Sequence, residues 1–302
     1  MKNTIKTPII NLEFSPDWQD YQLLDSGNGK TLERFGPYKL IRPEPQVIWQ
    51  KSLPKEDWDE ADAIVQEAQT EYGGQWHFYK SIEKQWVMQY KAMKFQVQLS
   101  SSRHVGVFPE QASHWDWIIG QIKHSQKPLN VLNLFGYTGI ATLAAAQAGA
   151  KVTHVDSSKH AISWANYNLK LSGLTGKPVR WIVEDALKFI QREARRGNRY
   201  DGLILDPPKF GRGSDGKIWD FYKSMPELLE ACRGVLSEDA KFIVLTAYAI
   251  QASSVITAQA LQEILKDRAG HLTTGELATR EESGGHIISH ALFSRWTNRK
   301  PA

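Results

Sequence analysis

The chain has 302 residues, 41% hydrophobic and 23% charged, with a formal net charge of +4 and a single cysteine. That balance excludes a disordered chain and a disulfide scaffold, and no apolar run reaches the roughly 20 residues a membrane-spanning helix needs. The length predicts two domains with a sizeable core, and the mild basicity permits a nucleic-acid partner without demonstrating one.

Residues 1–100 read as a β-rich N-terminal domain, expected to position the substrate. Met1 to Asn11 shows neither a long apolar core nor a small-residue cleavage site, so no secretory signal is expected; with one cysteine, a cytoplasmic location follows as an expectation. Tyr21 to Gly29 reads as a strand running into turn chemistry, and Gly36 to Pro43 as a second short strand. Glu56 to Tyr72 predicts a helix of Ala, Gln and Glu character. Gln75 to Tyr79 and Gln85 to Leu99 alternate in the strand manner.

Residues 101–302 read as strands alternating with helices, which predicts an α/β fold with a doubly wound, Rossmann-like sheet. The expected strands are Val131–Leu134, Lys151–Val155, Arg180–Val183, Tyr200–Leu205 and Lys241–Thr246. The helices between and after them are Gly139–Ala148, Ala161–Leu171, Ala186–Arg195, Met225–Val235 and Ser253–Asp267. His271–Thr279 and His286–Trp296 predict a closing antiparallel pair, so the sheet is mostly parallel with a C-terminal antiparallel strand. In such sheets ligands bind at the carboxyl ends of the strands.

Four motifs fall at those ends. Asn133-Leu134-Phe135-Gly136-Tyr137-Thr138-Gly139 leaves a strand and enters a helix, where glycine permits close backbone approach and the helix start offers unpaired N–H groups. A dinucleotide fingerprint would need glycine two residues before Gly136, where Leu134 stands, so a compact amino-acid moiety fits better. Asp156 can accept from both hydroxyls of a ribose, or cap the next helix. Asp185, in Glu184-Asp185-Ala186, can accept from an adenine amino group, or again act as a cap. Asp206-Pro207-Pro208-Lys209-Phe210 combines an acceptor, a stiffened turn and an aromatic able to stack on a base.

In order and spacing these motifs resemble class I S-adenosylmethionine-dependent methyltransferases, and look most like the group containing the bacterial 23S ribosomal RNA large-subunit methyltransferases. Gly106-Val107-Phe108-Pro109-Glu110 resembles that group's stretch before the first strand, and the resemblance covers Arg103 to Trp296. It implies S-adenosylmethionine as cofactor and S-adenosylhomocysteine as product. By the same resemblance Phe108, Phe135, Gly136, Thr138 and Gly139 surround the methionine portion, with Asn133 and Tyr137 in the same segment. Asp156 with Ser157 takes the ribose, and Asp185 with Ala186 the adenine. Asp206, Pro207, Pro208, Lys209 and Phe210 face the methyl acceptor, and Asp206 is expected to meet the cofactor as well. The cytosine-C5 members carry a cysteine nucleophile where this chain reads Leu245-Thr246-Ala247-Tyr248, so direct transfer to a nitrogen is expected, with ribosomal RNA as the implied partner.

The alternatives are a DNA, protein or small-molecule acceptor, a non-catalytic RNA-binding protein on the same scaffold, and a nicotinamide oxidoreductase. Lys209, Arg212, Lys217 and Lys223, with Asp215 and Asp220 among them, and separately Arg192, Arg195, Arg196 and Arg199, are candidates for phosphate contact or for a solvated helix end. Most of the eleven tryptophans, Trp115, Trp117, Trp164 and Trp181 among them, are expected in the core. Cys232 reads as a core thiol, and His77, His104, His114 and His124 lack metal-ligand spacing, so no metal is expected.

Overall fold

In the computed structural model of the chain, residues 9–15, 18–67, 74–100, 103–212 and 218–299 are described. The contacts divide it into two units. One comprises the chain up to Glu13, Ser113–Leu277 and His290 onward; the other comprises Phe14–Ala112 and Ala278–Ser289.

Strand β1 (Ile10–Phe14) opens the chain. The β-rich unit follows with β2 (Tyr21–Gly27), β3 (Lys30–Phe35), β4 (Tyr38–Pro43), the short helix α1 (Lys55–Asp59), β5 (Ala63–Glu67) and β6 (Gly74–Phe78). These five strands form a sheet in the order β2-β3-β4-β5-β6, and β7 (Gln85–Tyr90) pairs with β8 (Met93–Gln98) as a separate hairpin. Strand β3 was not foreseen from the sequence.

The helix expected over Glu56–Tyr72 is corrected: it ends at Asp59, and Ala63 begins a strand that pairs with both β4 and β6. Burial alternates from Ala61 through Ala63 to Val65, the period of a strand. The β-branched pair Ile64-Val65 satisfies two neighbouring strands, and that pairing outweighs the helix propensity of the flanking Ala and Glu. The end of the expected helix, through Tyr72, lies outside the described residues.

The second unit carries the α/β fold. After α2 (Ala112–Lys123) come β9 (Asn130–Leu134), α3 (Ile140–Gln147), β10 (Lys151–Asp156), α4 (Lys159–Leu171), β11 (Val179–Val183), α5 (Ala186–Arg195) and β12 (Gly202–Leu205). A small hairpin of β13 (Phe210–Arg212) and β14 (Ile218–Asp220) precedes α6 (Phe221–Val235), β15 (Phe242–Tyr248), α7 (Ser254–Ile264), β16 (His271–Arg280) and β17 (Ile287–Thr297). The eight-stranded sheet runs β1-β16-β17-β15-β12-β9-β10-β11. Strands β9, β10, β11, β12 and β15 are parallel, and β17 joins β15 antiparallel, as expected. Helix α6 starts at Phe221, four residues earlier than expected, because Asp220 caps it by accepting from the Lys223 N–H.

From β9 the chain winds outward to β10 and β11, then returns to place β12 on the other side of β9. The strand order reverses between β9 and β12, and the crevice outside their carboxyl ends is where such sheets take ligands. On one face of these strands Leu132, Leu134, Leu203, Leu205, Ile243 and Leu245 are fully buried, so that face is close-packed and apolar.

Candidate active site

The loop after β9 is held in a shape few sequences tolerate. Phe135, Tyr137 and Gly139 adopt φ of 59°, 48° and 83°, so two non-glycine residues sit in the left-handed region. The Gly136 N–H donates to the Val155 carbonyl at 3.1 Å and the Tyr137 N–H to Asp156 Oδ2 at 2.9 Å, which ties the loop to the end of β10. The Gly139 N–H closes the turn on the Gly136 carbonyl at 2.9 Å. Two close approaches fix the glycines. A Cβ on Gly136 would lie 2.3 Å from His154 Cε1, and one on Gly139 would lie 2.7 Å from Ala165 Cβ.

The layer under this loop is polar and buried. Asn133, expected at the cofactor, instead donates from Nδ2 to Thr142 Oγ1 at 2.9 Å, and the same hydroxyl lies 2.9 Å from His154 Nδ1. Burial holds the His154 imidazole down at about 3, so it is neutral, and its ring packs on Trp181 with centroids 4.9 Å apart. Thr138 is buried, and its carbonyl accepts from Asn168 Nδ2 at 2.9 Å. Phe108 belongs to the β-rich unit, where its ring lies 5.1 Å from that of His104.

Asp156 ends β10 half-buried. Oδ1 accepts from the Ser158 N–H at 2.8 Å and Oδ2 from the Tyr137 N–H at 2.9 Å. Burial raises its pKa above the usual carboxylate value, and those two backbone donors pull the other way. A carboxylate has about four acceptor positions, so each oxygen keeps one, and the chemistry fits two ribose hydroxyls. Ser157 stands beside it, and Ser158 caps α4 by accepting from Ala161 N–H at 3.2 Å.

Asp185 does cap α5, accepting the Lys188 N–H on Oδ1 at 2.9 Å, with Ala186 buried behind it. One carboxylate oxygen is thereby committed to the helix cap. Glu184 pairs with Arg192 of the same helix, so Arg192 is engaged in the fold, while Arg195 sits in the last turn of α5.

Asp206, Pro207 and Pro208 leave β12 next to the first loop, the Asp206 N–H reaching the Leu134 carbonyl at 3.4 Å. The Pro208 carbonyl, expected to meet a substrate, accepts the Trp219 indole N–H at 2.7 Å, and the Lys209 carbonyl accepts the Phe221 N–H at 3.0 Å. These bonds hold the β13–β14 hairpin over the turn. Phe210 opens that hairpin 45% exposed, with Lys209 Nζ 5.6 Å from its ring centre. Trp219, which the motif reading missed, packs on Phe135 with centroids 4.9 Å apart. No spacing rule marks Trp219; only the hairpin brings it to the loop. Lys223 lies 4.0 Å from Asp220; Asp215 and Lys217 fall outside the described residues.

Of the four tryptophans expected in the core, Trp115 and Trp164 are buried, and Trp117 and Trp181 are half-buried. Among the described residues there is no group of three or more His, Cys, Asp or Glu side chains able to hold a metal, and no helix is long and apolar enough to cross a membrane.

A family model described as S-adenosylmethionine-dependent methyltransferase matches residues 63–239. The crystal structure of a SAM-dependent methyltransferase from Agrobacterium tumefaciens is similar at 43% identity and a TM-score of 0.93, over 99% of this chain and 98% of that one. Ribosomal RNA large subunit methyltransferase K/L of Pseudoalteromonas atlantica is 30% identical over 64% of this chain and 26% of its own length. Ribosomal RNA large subunit methyltransferase I of Klebsiella pneumoniae is 29% identical over 46% of this chain and 34% of its own. The chain thus spans only a quarter to a third of these curated relatives.

Proposed function

The chain belongs to the S-adenosylmethionine-dependent methyltransferase family, and from that premise we propose that it methylates a base nitrogen of ribosomal RNA by direct in-line transfer. The acceptor follows the names of the RNA-modifying relatives. The observation that carries the reading is the adjacency of two loops. The left-handed turn after β9 and the Asp206-Pro207-Pro208 turn after β12 leave neighbouring parallel strands at the point where the strand order reverses.

The residues at that edge fit the cofactor. Backbone N–H groups at the start of α3 suit its carboxylate, the remaining acceptor positions of Asp156 suit its ribose, and Asp185 Oδ2 suits its adenine amino group. When bound, S-adenosylmethionine supplies a methyl group already made electrophilic by its sulfonium sulfur.

This chain's own residues then position and desolvate the acceptor. Asp206 accepts a hydrogen bond from the base edge and orients the nitrogen lone pair. Phe210, exposed on its hairpin, stacks on the base, which must leave its helix to reach the turn. The fixed Pro208 carbonyl keeps the turn rigid, so alignment rather than acid–base chemistry lowers the barrier. A ring nitrogen with a free lone pair needs no general base. A cysteine nucleophile has no place here: Cys232, the chain's one cysteine, is fully buried in α6, and burial pushes its thiol far up. The β-rich unit takes the role of positioning the RNA.

The test is mass spectrometry of ribosomal RNA from cells with and without the protein. The reading expects one methylated nucleotide to vanish and to return with the wild-type protein but not with Asp206→Ala. Unchanged modification in the deleted strain would overturn the ribosomal RNA substrate.

A further inference from the structure

His154 is a buried titratable group that methyl transfer itself does not use. It is fully buried in β10, beside Asn133 of β9 and Trp181 of β11. Gly136 rests on its ring. A Cβ on that glycine would lie 2.3, 2.6 and 2.8 Å from Cε1, Nδ1 and Nε2, so Gly136 sits over that side of the imidazole. A Cβ on Gly139 would come within 3.6 Å of the same Cε1. The left-handed turn after β9 is thus laid against the histidine.

Hydrogen-bond accounting decides which ring nitrogen carries the proton. Asn133 Nδ2 donates to Thr142 Oγ1 at 2.9 Å, and that hydroxyl lies 2.9 Å from His154 Nδ1. Thr142 is fully buried, and its hydroxyl bonds to no other described residue. Its one hydrogen therefore goes to Nδ1, since any other arrangement leaves a buried O–H without an acceptor. Nδ1 is then an acceptor, and the ring proton sits on Nε2. Burial holds the imidazole at about 3, so no second proton adds near neutrality. The Nε2 atom is shielded from solvent and has no hydrogen-bond partner among the described residues.

A fold that keeps a buried donor unsatisfied gives up stability. Leucine would avoid that loss, but it is branched where Gly136 needs a flat surface. Phenylalanine is flat, but no hydrogen bond could orient it. We infer that His154 is a positioning residue for the cofactor: locked in its Nε2–H form by Thr142, its ring holds Gly136 where the Tyr137 N–H meets Asp156 and the N–H groups at the start of α3 meet the cofactor's carboxylate. Asn133 and Thr142 act through it. The inference rests on the cofactor placement proposed above and goes beyond it, because it assigns part of the cofactor affinity to residues beneath the loop.

The test joins proton–nitrogen correlation spectra of the histidine rings in the full chain to calorimetric titration with S-adenosylhomocysteine. The His154 signals, identified by their loss in His154→Asn, should show a proton on Nε2 alone across about pH 5–8. Thr142→Val removes the hydroxyl, so it should move part of the ring proton to Nδ1 and weaken S-adenosylhomocysteine about tenfold. Thr142→Ser keeps the hydroxyl and should restore both the Nε2–H form and the affinity, a link that a merely structural threonine would not show. If Thr142→Val fails to fold, His154→Asn, which keeps an acceptor near the place of Nδ1, should bind about fivefold more tightly than His154→Gln, which moves it away. A proton on Nδ1 in the wild type, or wild-type affinity in Thr142→Val, would overturn the inference. Asp156→Ala is titrated beside these variants: lost affinity there with none lost in Thr142→Val overturns the inference alone, and none lost in either overturns the cofactor placement as well.

Discussion

The Trp219 indole donates its N–H to the Pro208 carbonyl at 2.7 Å while its ring packs on Phe135 with centroids 4.9 Å apart. One side chain thus ties the proline turn expected to face the acceptor to the glycine turn expected to face the cofactor. The two loops are fixed relative to each other by a residue that belongs to neither motif.

Trp219→Phe should separate the two contacts. It keeps a ring against Phe135 and loses the indole N–H, at a stability cost of about 1 kcal/mol. With the Pro208 carbonyl released, kcat should fall about tenfold while S-adenosylhomocysteine affinity changes little. Trp219→Ala, emptying a nearly buried site, should cost about 3–5 kcal/mol and weaken cofactor binding as well. Steady-state kinetics beside calorimetry would check this, and a Trp219→Phe variant with wild-type kcat would count against the hydrogen bond.

Gly136→Ala should abolish cofactor binding, because its Cβ would lie 2.3 Å from the His154 ring. Removing the ring should relieve the clash. In a double-mutant cycle with His154→Ala the coupling should exceed about 1 kcal/mol in stability, as expected for residues in contact. Additive effects would show that the glycine is required for another reason.

Acid should destabilise the protein through its histidines. Burial depresses His154 to about 3, His104 to about 4 and His114 well below its ordinary value, with Arg295 adding to the last. Each folded pKa lies below the unfolded one, so the unfolded chain binds protons first as pH falls. The neutral imidazoles' contribution is complete above about pH 6.5 and is lost as pH falls towards about 4 and then 3, at up to about 1.4 kcal/mol per pH unit per histidine. Denaturant titrations from pH 7 to 4 should show this slope, and His104→Asn should make it shallower by one proton.

Phe210→Ala should lower kcat/KM for RNA by about 10- to 100-fold, the range of one base–aromatic stack. The ring is 45% exposed, so melting temperature and S-adenosylhomocysteine affinity should stay as they are. A parallel loss of cofactor affinity would move Phe210 out of the acceptor role.

Cys232→Ala should leave turnover intact, because the thiol is buried in α6. Cys232→Ser should be the less stable of the pair, since it buries a hydroxyl where a small apolar group sat. A catalytically dead Cys232→Ala that still folds would restore a covalent route.

Much of the α/β unit was legible from periodicity and punctuation. Gly149 and Gly173, with φ of 104° and 68°, close α3 and α4 where the sequence placed their ends. The helix Ala186–Arg195 has the boundaries its pattern implied. Asp156, Asp185 and Asp206 stand at strand ends because an acidic residue after an apolar run marks where the chain leaves the sheet. The failure at Glu56–Tyr72 has the opposite cause. Short runs of Ala and Glu carry a weak local preference, and the partners of Ala63–Glu67 lie in β4 and β6, which no local window contains.

What the sequence determined by itself is therefore the set of strand ends and the chemistry displayed there, because both depend on neighbours a few residues away. The tertiary structure alone decided which of those groups are available to a ligand. It turned Asn133 inward to Thr142, engaged Asp185 in a helix cap, bound the Pro208 carbonyl to Trp219 and set Gly136 against His154. Hydrogen-bond capacity is finite and buried groups must be satisfied, so a polar residue's role is settled only when the fold shows what already claims it.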